Sequence, residues 1–226
     1  MTFHIYNDVE QGTEEWEQLR CGLLTASQIG KLITPTLGIA DNETSRALTE
    51  TIVAERISGR VEPVHPTRDM ERGTLDEPYA RDIYRQQHGP VEEIGFATNT
   101  FNGHTLGASP DGLIGADGGL EIKAPRQKNH LHTILNNSVP AEYLPQVHAN
   151  MLVTGREWWD FCTYCGGWPI HVIRVQRDLW WDKAILAALD KFEHSAAQMI
   201  AAYRNRVGDA TIAPRIDHYL EVELKL

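Results

Sequence analysis

Ser109-Pro110-Asp111-Gly112, a short glycine-rich stretch, and then Leu120-Glu121-Ile122-Lys123-Ala124-Pro125 form the most informative segment of this 226-residue chain. The second half alternates apolar and charged residues, the period of a strand whose side chains point to opposite faces in turn. Leu120, Ile122 and Ala124 therefore share one face, and Glu121 and Lys123 the other. Asp111 precedes Glu121 by ten residues, in a Pro-Asp-Gly turn suited to aiming its carboxylate into a cleft. Two acids and one ammonium gathered on a buried sheet edge are unfavourable unless a divalent cation accompanies them.

Around this segment the chain reads as one folded α/β domain, residues 1–226, with helices flanking a mixed central sheet. The 42% hydrophobic content and six tryptophans exclude a disordered polymer. No apolar run approaches the ~18 residues that span a bilayer, and Met1 to Asp8 lack a secretory layout. Three cysteines, Cys21, Cys162 and Cys165, are too few and odd in number for a disulfide framework, so a cytoplasmic setting without membrane partners is expected.

Helices are expected from Thr13 through Arg20, briefly around Ile29 and Leu32, over Asn42–Ser58 with Gly59 as stop, and over Pro66–His88 with an interruption near Gly73 and Pro78. Strands are expected at Val91–Thr98, Leu106–Ala108, Gly112–Ile114 and Leu120–Ala124. A helix over Pro140–Val153, strands at Trp158–Cys165 and Ile170–Val175, and a long helix from Asp178 to about Arg206 follow. The tail from Tyr219 to Leu226 alternates again.

Acid, acid and lysine at this spacing suit phosphodiester hydrolysis, which makes a nuclease the leading reading. Glu-x-Lys by itself is weak evidence, since chance supplies it roughly once in a chain of this size. Glu223-Leu224-Lys225, with Asp217 upstream, is a second copy. It lies at a free end, where order and exclusion of water are least expected, and reads as a solvated face. A net charge of −10 is unusual for a DNA enzyme, because phosphate neutralisation supplies most non-specific affinity. Either DNA is not the substrate or the basic residues line an internal surface while acids coat the exterior.

Several further motifs occur in a fixed order: Leu19-Arg20 with Thr25-Ala26-Ser27, then Arg72-Gly73-Thr74-Leu75-Asp76-Glu77, then the Asp111 and Glu121 segments, then Pro145-Gln146-Val147-His148. Together they resemble the lambda-type phage alkaline exonucleases (YqaJ-like viral recombinases), within the restriction-endonuclease-like superfamily defined by a PD-(D/E)-x-K motif. The resemblance implies a restriction-endonuclease-like α/β core and a 5′–3′ exonuclease. Such an enzyme degrades linear double-stranded DNA to 5′-mononucleotides and leaves 3′ overhangs for recombination. It implies Mg²⁺, with Mn²⁺ as a substitute, held by Asp111 and Glu121, with the Ile122 carbonyl as a further oxygen and Glu77 at a second position. Lys123 then orients the attacking water or stabilises developing charge; as a base it would make activity rise towards alkaline pH.

By the same resemblance Arg20, Ser27, Ser109 and Gln146 form a pocket for a terminal 5′-phosphate, which sets the direction of digestion. A ring-shaped homotrimer around DNA, a single-strand annealing partner and a bacterial host cytoplasm are also implied. An endonuclease of the same superfamily, or an idle DNA-end binding module, are the alternatives. Arg126 and Lys128 are candidates either for the DNA backbone or for a solvated loop. His130 and His132 read as surface or DNA-proximal residues rather than zinc ligands. Cys162 and Cys165, three apart on a strand, face opposite ways and do not form a chelate.

Overall fold

The computed structural model describes residues 2–63 and 65–216. The terminal Glu-x-Lys copy, Asp217 and the alternating tail lie outside the described residues. In chain order the elements are β1 (Phe3–Tyr6), α1 (Glu14–Arg20), β2 (Leu24–Thr25), α2 (Ala26–Ile29), a 3₁₀ turn (Gly30–Leu32), α3 (Glu43–Ser58) and α4 (Arg68–His88). Then come β3 (Phe96–Phe101), β4 (His104–Ala108), β5 (Gly112–Ile114), β6 (Gly118–Lys123), α5 (Gln127–Asn136), α6 (Leu144–Thr154), β7 (Trp158–Thr163), β8 (His171–Gln176) and α7 (Leu179–Val207).

The expected α/β architecture is present, with its strands divided between two mixed four-stranded sheets, ordered β1-β3-β4-β2 and β5-β6-β7-β8. In the second sheet β5 runs antiparallel to β6, β6 parallel to β7, and β7 antiparallel to β8. The parallel step from β6 to β7 requires a crossover, and α5 and α6 supply it. Helix α6 is buried at every position from Val147 to Val153, because it packs against β3, β4, β7, α2 and α7. Its apolar run serves the larger core, which includes Trp159 and Phe161 of β7 and Ile185, Leu189 and Phe192 of α7. A smaller core lies across the sheet, where Ala80 and Tyr84 of α4 cover Leu120, Ile122 and Cys162.

Two expectations are corrected, and two elements are present where none was expected. Helix α4 runs through Gly73 and Pro78 without a break. Thr74 and Pro78 are both exposed, so the carbonyl deprived of its helical partner can meet water. Helix α5 was not anticipated, because its buried positions are His130 and Thr133 rather than an apolar stripe. His130 is fully buried, not superficial, and its Nε2 donates to the Pro169 carbonyl at 3.0 Å. The edge strand β1 was also missed, and its first two residues are exposed, so burial imposes no alternation there.

Candidate active site

Strand β5 pairs with β6 only from Gly112↔Leu120 to Ile114↔Gly118, so the two strands diverge where Asp111 precedes β5. Asp111 fills the gap: its Oδ2 accepts the Ile122 N–H at 2.5 Å, replacing a ladder bond. Gly112 has to be glycine here, because a Cβ would lie 2.1 Å from Val91 Cγ1. On the back of the turn Arg81 Nε donates to the Asp111 carbonyl at 2.9 Å.

Glu121 is 1% exposed and fully engaged. Its Oε1 accepts from Lys123 Nζ at 2.5 Å and Gln146 Nε2 at 2.6 Å, and its Oε2 accepts from Asn150 Nδ2 at 2.9 Å. Gln146 and Asn150 reach it together because they are i and i+4 on α6 and share a helical face. Burial, then the charges of Glu121 and Glu77, push the Asp111 carboxyl well above the ordinary carboxylate range. Burial pulls the Lys123 ammonium down, but Glu121 and Asp111 outweigh it and hold Lys123 above its usual value, hence protonated.

Glu77 stands on α4, where Arg81 pairs with it at i+4 and also with Glu93 at 2.6 Å. Its carboxyl is likewise raised, first by burial, against the pull of Arg81 and with the push of Glu121. Among the described residues no three His, Cys, Asp or Glu side chains converge as a closed metal cage. A Mg²⁺ site does not require one, since that ion keeps several waters and takes one or two carboxylates together with phosphate. Asp111 and Glu121 fit by donor chemistry: they are hard oxygen ligands whose mutual repulsion a divalent cation would relieve.

Arg20 ends α1, with its guanidinium 3.8 Å from the centre of the Trp16 ring. It has no ion pair among the described residues, and burial lowers its pKa, offset in part by Glu17 and Glu55. A partly desolvated cation whose acidic neighbours make no direct ion pair with it is poised for an external anion. Ser27 is exposed on α2 and its Oγ lies 3.2 Å from Thr25 Oγ1, while Ser109 Oγ accepts the Trp16 indole N–H at 3.1 Å.

A single cavity of about 180 Å³ is lined by Asp111, Glu121 and Lys123 together with Arg20, Ser27, Ser109 and Gln146. Glu77 and Ile122 lie outside its walls, although the Ile122 backbone touches Asp111. Gln11, Trp16 and Asn150 also line it and were missed by sequence reading. The available signal was spacing: Trp16 and Asn150 each stand four residues from an identified residue on the same helix, Arg20 and Gln146.

The remaining candidates lie apart from this cavity. Arg126 is paired with Asp69 at 2.8 Å, and Lys128 is exposed on α5. Cys162 and Cys165 are buried free thiols, and burial, then the charge of Asp160, pushes the Cys162 thiol up to about 12. No helix among the described residues is long and apolar enough to cross a membrane.

The family model described as "YqaJ-like viral recombinase domain" matches residues 15–157, a span that contains every residue lining the cavity except Gln11. The fold is similar to that of LHK-Exo, an alkaline exonuclease from Laribacter hongkongensis, at a TM-score of 0.78 and 30% identity, covering 88% of this chain and 100% of that one. A structure of LHK-Exo in complex with dAMP matches equally well. A phage related exonuclease from Haemophilus somnus 129PT shares the fold at a TM-score of 0.58 and 11% identity, covering 78% of this chain and 96% of that one. No curated protein sequence matches the chain significantly.

Proposed function

This chain belongs to the YqaJ-like viral recombinase family, and from that premise we propose that it is a Mg²⁺-dependent 5′–3′ exonuclease acting on linear double-stranded DNA. The observation that carries the proposal is the shared cavity: the acid–acid–lysine group and Arg20, which has no ion pair among the described residues, face the same small space. A terminal phosphate held by Arg20, Ser27, Ser109 and Gln146 would set the next phosphodiester against Asp111 and Glu121. Digestion then proceeds from a 5′ end, releases 5′-mononucleotides and leaves a 3′ overhang. The complex of LHK-Exo with dAMP, a deoxynucleoside monophosphate, supports that class of product.

When bound, Mg²⁺ supplies an acidified water and neutralises charge on the phosphoryl oxygens. Asp111 and Glu121 would hold it, with the Ile122 carbonyl and Glu77 as further oxygens and Mn²⁺ as a substitute. Gln146 and Asn150 fix the Glu121 carboxylate, so its geometry is set before substrate arrives. Lys123 would act as a fixed positive charge beside the scissile phosphate, orienting the nucleophilic water and stabilising charge as it develops. We extend the same reading to a ring of three copies whose basic residues face the DNA, and to a single-strand annealing partner. Such a ring reconciles DNA binding with the net charge of −10.

Linear duplexes carrying a 5′-phosphate or 5′-hydroxyl on a chosen strand, with and without Mg²⁺, test reaction, cofactor and polarity together. Expected is nucleotide release from the 5′-phosphorylated strand in Mg²⁺ or Mn²⁺ and none in a chelator. Cleavage of closed circular DNA would instead make the protein an endonuclease, and metal-loaded protein that releases nothing would make it an end-binding module. Arg20→Ala should lower the preference for phosphorylated ends by about 10- to 100-fold, the scale of a charge-assisted hydrogen bond. An unchanged preference removes Arg20 from the pocket.

A further inference from the structure

Trp16 holds two of the proposed phosphate ligands at once. Its ring face carries the Arg20 guanidinium at 3.8 Å, and its Nε1–H donates to Ser109 Oγ at 3.1 Å. We propose that Trp16 is the positioning residue that sets discrimination between phosphorylated and unphosphorylated 5′ ends, by locking Arg20 and Ser109 into one arrangement. The proposal rests on the reading of this cavity as a 5′-phosphate pocket.

The hydrogen-bond inventory explains why an indole suits the place. An indole N–H donates and cannot accept, so Ser109 must receive with an oxygen lone pair. That leaves the Ser109 hydroxyl proton free to donate to an anion. A guanidinium held against a ring face keeps its in-plane N–H groups free as well. Both partners of Trp16 are therefore fixed in position with donors that no group among the described residues takes up, as a phosphate oxygen needs.

Fixing Arg20 beforehand also matters energetically, since a free arginine loses much rotamer freedom when it binds. The i, i+4 spacing on α1 brings ring and guanidinium together without help from elsewhere in the fold. The contact with Ser109 reaches further, because Ser109 and Asp111 share one turn. Gln11 holds the same turn, its Nε2 donating to the Pro110 carbonyl at 3.1 Å and the Ile94 carbonyl at 3.3 Å. The segment that recognises the end is thus tied to the turn that carries an acid of the proposed metal site.

Two substitutions separate the contributions. Trp16→Phe keeps a ring for Arg20 but removes the donor to Ser109; Trp16→Leu removes both. The readout is the ratio of nucleotide release from 5′-phosphate and 5′-hydroxyl duplex ends at saturating Mg²⁺, with KM and kcat resolved for each. Mn²⁺ affinity is measured by calorimetry without DNA. Trp16→Phe should lower the ratio about 3- to 10-fold and Trp16→Leu about 10- to 100-fold, chiefly through KM for phosphorylated ends, with Mn²⁺ affinity kept. Equal losses on both kinds of end would mean a merely structural role and overturn the proposal. If Arg20→Ala collapses the ratio while Trp16→Phe and Trp16→Leu preserve it, the Trp16 inference fails and the pocket stands. If Arg20→Ala leaves the ratio intact, the pocket itself fails. Should Trp16→Leu not fold, Trp16→Phe decides alone.

Discussion

Glu121 and Asp160 stand on neighbouring strands of one sheet, 1% and 2% exposed, and serve opposite ends. The β6–β7 register pairs Leu120 with Asp160 and Glu121 with Phe161, so the two carboxylates project from opposite faces. Each accepts three side-chain hydrogen bonds. Asp160 takes Tyr84 Oη at 2.6 Å and both Nε and Nη2 of Arg174 at 2.8 Å. Hydrogen-bond saturation therefore does not tell them apart. The neighbours do: Asp160 has a dedicated guanidinium, which itself stacks 3.6 Å over Trp158, whereas Glu121 shares its surroundings with Asp111 and Glu77. A buried acid with its own cation is a structural tie. Glu121 has an ammonium too, Lys123 at 2.5 Å, but Asp111 and Glu77 draw on that same charge, and the remaining deficit is what a divalent cation fills.

The sharpest way to break this contrast is to neutralise each acid in turn. Glu121→Gln should reduce nucleotide release by about 10²–10³-fold or more and weaken Mn²⁺ binding in calorimetry. A variant that keeps a tenth of the parent rate would move the chemistry elsewhere. Asp160→Asn should do the reverse, keeping activity within a few-fold while denaturant unfolding loses about 1.5–3 kcal/mol, the worth of hydrogen bonds to a charged group. Arg174 is 51% exposed, so solvent screens the pair and the lower half of that range is expected. A large loss of activity with unchanged stability in Asp160→Asn would erase the distinction between the two faces.

The two acids also differ in how far the sequence announces them. Glu121 is legible because Leu120 to Lys123 alternates cleanly and Asp111 sits in a Pro-Asp-Gly turn. Long helices with clear stops were equally legible: α3 ends at Gly59, whose φ of 72° is left-handed, as glycine permits. Asp160 is not legible, since its partners Tyr84 and Arg174 lie 76 and 14 residues away and only the folded sheet brings them together. Asn150 was hidden for a related reason, as it lies in a stretch of α6 buried on all sides and gives no amphipathic signal. Local periodicity reports which face a side chain takes; it does not report which distant groups meet it there. The division into two sheets, the burial of His130 and the unbroken passage of α4 through Pro78 belong to that second class.

The smallest expected effect separates the faces through pH. The Asp111 carboxyl is raised in the folded protein by burial and then by Glu121 and Glu77, above the ordinary carboxylate value of about 3.9. A group raised on folding stabilises the fold below its unfolded pKa, where it is protonated in both states, and that contribution is lost as pH rises through the folded value. Without metal, the melting temperature should therefore decline as pH climbs from the ordinary carboxylate range through the raised one. Glu77, also raised, adds a decline of the same sign. Mg²⁺ should reverse the trend, because it binds the ionised carboxylates of the folded state and stabilises by about 2.7 kcal/mol at a hundredfold excess over its Kd. The increment from Mg²⁺ should accordingly grow with pH. Asp111→Asn should flatten the metal-free decline in part, leaving the share of Glu77, and should abolish most of the Mg²⁺ increment. Asp160→Asn should lower the melting temperature while keeping the Mg²⁺ increment. If Asp111→Asn and Asp160→Asn instead shift the melting curve in the same way, like-charge crowding is not what separates the two faces of this sheet.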